Sequence, residues 1–198
     1  MDRDGFYNEQ LEIFKETGKP TRAVEVVQTL LFSPDGEILL QKRSRRKNHN
    51  PGMLDKTMGG HITFGDSSNY TVMAETLQEL EVPSFVLPNE EDFKKTFKLL
   101  RDYTNTSAIV QFVDSKVYNS KKIMNKELVE IANKYYFYLG VYNGSIRPSD
   151  KEAAGVLFYN YDIFLEEMAE EPESFTHDLR FFINKYSTKI KQFLAELN

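Results

Sequence analysis

Residues 59 to 82, GGHITFGDSSNYTVMAETLQELEV, carry the side chains with the clearest chemical potential. At about 100° per residue around an α-helix, Glu79 lies about 40° from Glu75, and Gln78 about 60° to the other side. These three share one face. Met73, Leu77 and Leu80 fall at about 160°, 200° and 140°, so the expected helix buries that opposite side. Two carboxylates and a carboxamide offer the oxygen donors that hard divalent cations take, and Mg²⁺ uses few protein carboxylates while sharing phosphate oxygens. Gly59 and Gly60 just upstream permit a sharp turn and a close backbone approach, and free carbonyl oxygens for ligation. An amphipathic helix with a solvated acidic face has the same pattern. On the residues alone both readings stand.

The elements around this stretch must position it. AVEVVQTLLF (23–32) and EILLQKR (37–43) flank SPDG, a turn in which Pro34 presets φ and Gly36 tolerates the left-handed region, so residues 23–43 read as a β-hairpin. SRRKNHNPG (44–52) is a polar loop, and 54–65 reads as short strand segments broken at Gly59 and Gly60. The carboxylate helix is expected after Asp66, capped by Ser67 or Ser68 and stopped by Pro83. A second helix fits 89–103, strands fit 107–118, the aromatic half of 126–142 and 155–161, and the chain from about Asp162 onward reads as helical. In FTHDLRFF (175–182) the C-terminal helix is expected to start at Thr176, with a packing role. Near the N-terminus, Leu11 and Ile13 alternate with charged residues and suggest a short strand. Strands interleaved with helices predict an α/β fold, a mixed sheet covered by helices on its faces.

With 198 residues, 40% hydrophobic content, 15 Phe and 11 Tyr, the chain has enough apolar surface for a substantial core. No linker divides it, so one domain is expected over 1–198, with an N-terminal extension (1–20) and a C-terminal helical segment (162–198). The net charge of −5 argues against a protein built to coat nucleic acid. The absence of cysteine excludes disulfides, thiolate metal sites and a cysteine nucleophile. MDRDGFYNEQ is unlike a secretory signal, and no apolar run approaches the ~20 residues that span a bilayer. The expectation is a soluble cytoplasmic protein without membrane partners.

Other features have two readings each. KRSRRK (42–47) could receive phosphates, Arg43 from a strand end and Lys47 from the loop, or be a solvated loop. Tyr135, Tyr136, Phe137, Tyr138 and Tyr142 could stack a base, although strand alternation would send half of them into a core.

Residues 60 to 82 resemble the signature of the Nudix hydrolases, G-x5-E-x7-R-E-U-x-E-E-x-G-U, with U a bulky aliphatic residue. Gly60, Glu75, Glu79 and Val82 match, Asp66 replaces the first Glu conservatively, and Ala74, Thr76, Gln78 and Glu81 depart. The flanks ILLQKRS (38–44), NPGMLDKTMGGHITFGD (50–66) and FTHDLRFFI (175–183) resemble the Nudix branch that contains isopentenyl-diphosphate isomerases. The resemblance runs from about residue 9 to 186 and is least evident over 89–125.

It implies an α/β/α sandwich that binds Mg²⁺ or Mn²⁺ and cleaves a phosphoanhydride bond in a nucleoside diphosphate-linked substrate. Glu75 and Glu79 then become metal ligands and catalytic carboxylates. Gln78 becomes a neutral ligand, the Gly60 backbone carbonyl assists, and Glu152, with Asp150 as neighbour, is a candidate extra ligand or base. Those two are equally readable as exposed loop acids. The loss of one charge at Gln78 and of the arginine at Ala74 also fits a second function, a weakly catalytic module that binds a nucleotide or diphosphate. Isomerase chemistry is set aside, because the branch's cysteine position is filled by Gly59 and Gly60. His61 aligns with that branch's metal-binding histidine and is either a ligand or a hydrogen-bonding residue. The resemblance also admits a homodimer.

Overall fold

The computed structural model describes residues 3–47, 49–124, 127–146 and 153–197. In chain order the elements are α1 (Arg3–Thr17), β1 (Ala23–Phe32), β2 (Glu37–Arg43), β3 (Leu54–Asp55), α2 (Ser68–Leu80), β4 (Ser84–Leu87), α3 (Glu90–Leu100), β5 (Ala108–Met124), β6 (Glu127–Val141), β7 (Ala153–Asn160), α4 (Tyr161–Glu170) and α5 (His177–Leu197). The strands form one mixed sheet in the order β3-β2-β1-β6-β5-β4, with β7 on β2. β1 runs parallel to β6 from Ala23 to Phe32, and β5 pairs antiparallel with β6.

Alternation along β1 assigns the two faces. Val26, Leu30 and Phe32 point into a core with Phe93 and Phe97 of α3, Phe164 of α4, and Leu179, Phe182 and Phe193 of α5. Val27 and Leu31 point the other way, onto Met58 and onto Val72 and Leu80 of α2. The sheet is therefore a layer between α2 on one side and α3, α4 and α5 on the other.

β1 and β2 pair at only two positions, Leu31 with Leu39 and Phe32 with Ile38. Beyond them the strands part. β7 takes one edge of β2 from Glu37 to Arg43, while the other edge passes from β1 to β3, which pairs at Gln41 and Lys42. Residues 56–62 then cross from β2 to β1 and bridge it at Thr29–Met58 and Val26–His61. Thr57 sits at the fork. Its Oγ1 donates to the Leu39 carbonyl and accepts the Leu31 N–H at 2.9 Å, so one hydroxyl joins the two strands where their own ladder stops.

Two expectations are corrected. The N-terminal segment is a helix, not a strand. Tyr7, Gln10, Leu11 and Phe14 follow helical spacing, and the apolar members pack on Val129 and Ile131 of β6, while the buried Gln10 Oε1 accepts the N–H groups of Thr21 and Arg22. The Leu11–Ile13 alternation was a coincidence of two residues.

The second correction concerns α2. It begins where expected, with Ser67 Oγ accepting the Tyr70 N–H as N-cap. It does not bury Met73 and Leu77, which are 48% and 56% exposed; of the three apolar residues only Leu80 is buried. The inward stripe is Val72, Thr76, Glu79 and Leu80. Polar residues occupy it because their groups are satisfied: Thr76 Oγ1 donates to the Val72 carbonyl, and Glu79 Oε2 accepts from Gln41 Nε2 at 3.3 Å. The helix ends at Leu80, ahead of Pro83, in a left-handed Glu81 with φ 58°.

Replacing Thr57 with Val strands the Leu31 N–H and the Leu39 carbonyl, and is expected to cost about 2–4 kcal/mol in urea unfolding, with Thr57→Ser restoring most of it. Glu81→Gly relieves the left-handed strain and should raise stability by up to about 1 kcal/mol in the same measurement.

Candidate functional site

The parting of β1 and β2 opens a cavity of about 420 Å³. Its walls come from widely separated segments: Tyr7 of α1, Gln28 of β1, Arg43 at the end of β2, Lys47 and His49 of the following loop, Asp55 and Lys56, Gly60 and His61, Glu75, Gln78 and Glu79 of α2, Tyr135 of β6 and Asp178 of α5. The candidates Glu75, Gln78, Glu79, Gly60, Arg43 and Lys47 thus line one space. Glu152 and Asp150 lie outside the described residues.

α2 lays its acidic side against the crossing segment. A Cβ on Gly60 would lie 1.8 Å from Glu75 Oε1, so only glycine lets this carboxylate rest on the backbone there. At Gly59 a Cβ would meet the Val27 carbonyl at 2.6 Å. Both glycines serve close approach; neither has a positive φ. The Gly60 carbonyl accepts the Val27 N–H at 2.9 Å, which leaves its second lone pair for another partner. Glu79 is 9% exposed and Gln78 sits on the exposed rim. Among the described residues, no group of three or more His, Asp or Glu side chains is arranged to hold a metal ion. The donors that are present, Glu75, Glu79 and the Gln78 carboxamide, suit a hard cation whose shell is completed by phosphate oxygens and water.

Between the side chains of Arg43 and Lys56 lies Asp55, 4% exposed. Arg43 Nη1 donates to its Oδ2 at 3.0 Å, Lys56 Nζ lies 3.3 Å from both oxygens, and Thr176 Oγ1 donates to Oδ1 at 2.7 Å. Burial works to raise the Asp55 pKa. Lys56, Arg43, the Thr176 hydroxyl and the Lys56 N–H outweigh it and hold the carboxyl well below the usual carboxylate range. Arg43 also ties down the basic loop, with Nε donating to the carbonyls of His49 and Asn50 at 3.1 and 3.2 Å and Nη2 to His49 at 2.8 Å. Its remaining N–H groups stay available to an anion. Thr176 accepts the Leu179 N–H as well, so the start of α5 is fixed to the floor of the cavity.

The roof was not foreseen. Tyr7 OH and His61 Nε2 share a hydrogen bond of 2.9 Å, and the Tyr7 ring lies 5.3 Å from that of His49. Tyr135, one of the aromatics weighed for stacking, instead packs in the core with Phe137 and donates its OH to Asp178 Oδ1 at 2.9 Å. Tyr7, Gln28, Asp55, Lys56 and Asp178 were not singled out from sequence. Gln28 had a legible signal, a long polar side chain between the apolar pairs Val26–Val27 and Leu30–Leu31 of β1, with only Thr29 beside it.

Asp55 gives a test of the floor. Its pKa is depressed on folding, so its contribution is complete above the unfolded value of about 3.9 and is lost as pH falls toward the folded value. Asp55→Asn is expected to cost about 3–5 kcal/mol at pH 7, because Arg43 and Lys56 lose their counter-charge. The gap between variant and wild type should narrow below about pH 4, as read from urea unfolding across pH.

No protein-family model matches the chain, and no curated protein matches it. Its likeness is to solved structures. A protein of Deinococcus radiodurans aligns over 85% of this chain and 88% of its own, at 15% identity and a TM-score of 0.59. A bifunctional NMN adenylyltransferase/ADP ribose pyrophosphatase of Francisella tularensis, solved with AMP and a Mn ion, aligns over 94% of this chain at 11% identity and a TM-score of 0.54. This chain spans 47% of that enzyme. The NUDIX domain of Shewanella oneidensis NrtR, complexed with ADP ribose, aligns over 90% of this chain and 97% of its own, at 14% identity and a TM-score of 0.53. These likenesses do not bear on the isomerase-like branch. They agree with the sandwich of mixed sheet and helices found here: the chain has the Nudix hydrolase fold.

Proposed function

We propose that the chain is a metal-dependent hydrolase that cleaves a phosphoanhydride bond in a nucleoside diphosphate-linked substrate. The observation that carries this reading is the packing of α2: its acidic side faces the cavity, with the Glu75 carboxylate in the space that Gly60 leaves. Glu75 and Glu79 would hold Mg²⁺ or Mn²⁺, with Gln78 and the Gly60 carbonyl as neutral donors. A bound ion of this kind polarises a phosphoryl oxygen and lowers the pKa of coordinated water. The chain's own residues do the rest. Lys47, Lys56 and Arg43 set positive charge along the diphosphate, and Arg43 keeps the loop bearing Lys47 in place. Tyr7, buried at the cavity wall, would narrow the access of bulk water. Glu152 is the proposed base; it precedes β7, which enters the sheet at Ala153 opposite Arg43. With only two carboxylates, both on α2, proposed as ion ligands, ion and diphosphate should bind together more tightly than either binds alone. The AMP and ADP ribose held by the Francisella and Shewanella proteins make adenosine diphosphate derivatives the first candidates.

A second reading is a binding module with little turnover. Gln78, which lacks the third charge, favours it. The two separate on one panel of ADP-ribose, nucleotide sugars and dinucleoside polyphosphates with Mg²⁺ or Mn²⁺. The hydrolase reading expects phosphoanhydride cleavage that falls at least about 100-fold in Glu79→Gln, with a comparable loss in Glu75→Gln. Tight binding by the wild type without product from any substrate would establish the module instead.

A further inference from the structure

The cavity extends beyond the sheet plane. Gln28 alternates with Val26 and Leu30, both of which face α5, so its side chain leaves the sheet on the side away from α2. It is 2% exposed, lines the cavity, and its Oε1 has no hydrogen-bond partner among the described residues. A buried carboxamide oxygen without a partner is costly. Such a group at the end of a cavity is accounted for when a ligand completes it.

Asp178 of α5 also lines the cavity, and its partner Tyr135 sits beside Val26 in the β1–β6 ladder, two residues from Gln28. Tyr135 OH donates to Asp178 Oδ1 at 2.9 Å and accepts from Asn133 Nδ2 at 2.8 Å. The tyrosine proton is thereby committed, and the carboxylate is held in one orientation with acceptor capacity remaining. Burial raises the Tyr135 pKa, and the neighbouring Asp178 adds to the effect, which keeps the phenol a donor.

We propose that Gln28 and Asp178 form a subsite for vicinal hydroxyls, taking the sugar of a diphosphate-linked ligand whose phosphates lie at Glu75 and Glu79. The chemistry selects this class. The carboxylate takes only donors, whereas the carboxamide needs both a donor and an acceptor. A diol supplies both, since each hydroxyl gives one hydrogen and takes another. An ammonium supplies donors alone and would leave the carboxamide N–H groups unmet. The inference rests on the phosphoanhydride reading of the α2 side.

Binding measured calorimetrically with Mg²⁺ separates the two. Methylenediphosphonate probes the phosphate end alone, and ribose 5-diphosphate adds a sugar without a base. The wild type is expected to bind ribose 5-diphosphate about tenfold or more tightly than methylenediphosphonate. Gln28→Met and Asp178→Asn should each abolish that advantage and leave methylenediphosphonate affinity unchanged. Gln28→Met should also raise the unfolding midpoint, because it removes an unmet buried carbonyl oxygen. A wild type that gains nothing from the sugar, a Gln28→Met protein that keeps the gain, or a lowered midpoint in that variant overturns the subsite while the phosphate site stands. Should Gln28→Met not fold, retention of the gain by Asp178→Asn overturns it equally. Binding of neither compound overturns both readings.

Discussion

A hydroxyl at the fork of two strands sets the geometry of this molecule. Thr57 ties Leu31 of β1 to Leu39 of β2, and past that stitch the strands diverge. A continuous ladder would close the sheet and leave only two flat faces. Divergence makes a cleft that helices on both sides can reach, and the segment from Lys56 to Ile62 satisfies the β1 backbone that β2 has left. α2 can then bring carboxylates in from one side and α5 can bring Asp178 in from the other.

The cleft is lined with charge, and Asp55 makes that tolerable. Arg43 and Lys56 approach a carboxylate that Thr176 also holds, so the two cations stand close together without mutual repulsion dominating. Four separate segments meet there: the end of β2, β3, the basic loop through the Arg43 bonds to the His49 and Asn50 carbonyls, and the start of α5 through Thr176. The floor is rigid because its hydrogen bonds cross between elements. An anion entering the cleft would therefore meet cations already in place and spend little on ordering them.

Local chemistry was legible in the sequence, and long-range assembly much less so. The hairpin of β1 and β2 could be read from SPDG, and the start of α2 from Ser67, because both are decided within a few residues. The Nudix-like spacing from Gly60 to Val82 led to the right fold. The inward face of α2 was misread because a hydropathy wheel buries Met73 and Leu77, whereas Thr76 and Glu79 go inside once Val72 and Gln41 meet their polar groups. Those partners lie one helical turn and 38 residues away, and only the first is visible in a local window. β4 was missed for a related reason: four residues after Pro83 become a strand by parallel pairing with β5. The Asp55 cluster depends on Thr176, 121 positions further along, which no spacing rule connects to it.

α1 has a practical consequence. Tyr7 is a roof beam supplied by the first helix, and that helix rests on β6 chiefly through Tyr7, Leu11 and neighbouring phenylalanines. Trimming the protein back to the first strand, or fusing a bulky affinity handle ahead of Arg3, would loosen the lid while sparing the sheet. Preparations that differ only in their leading residues would then differ around Tyr7 and His61 although the sheet is intact, so handles belong at the opposite end of the polypeptide.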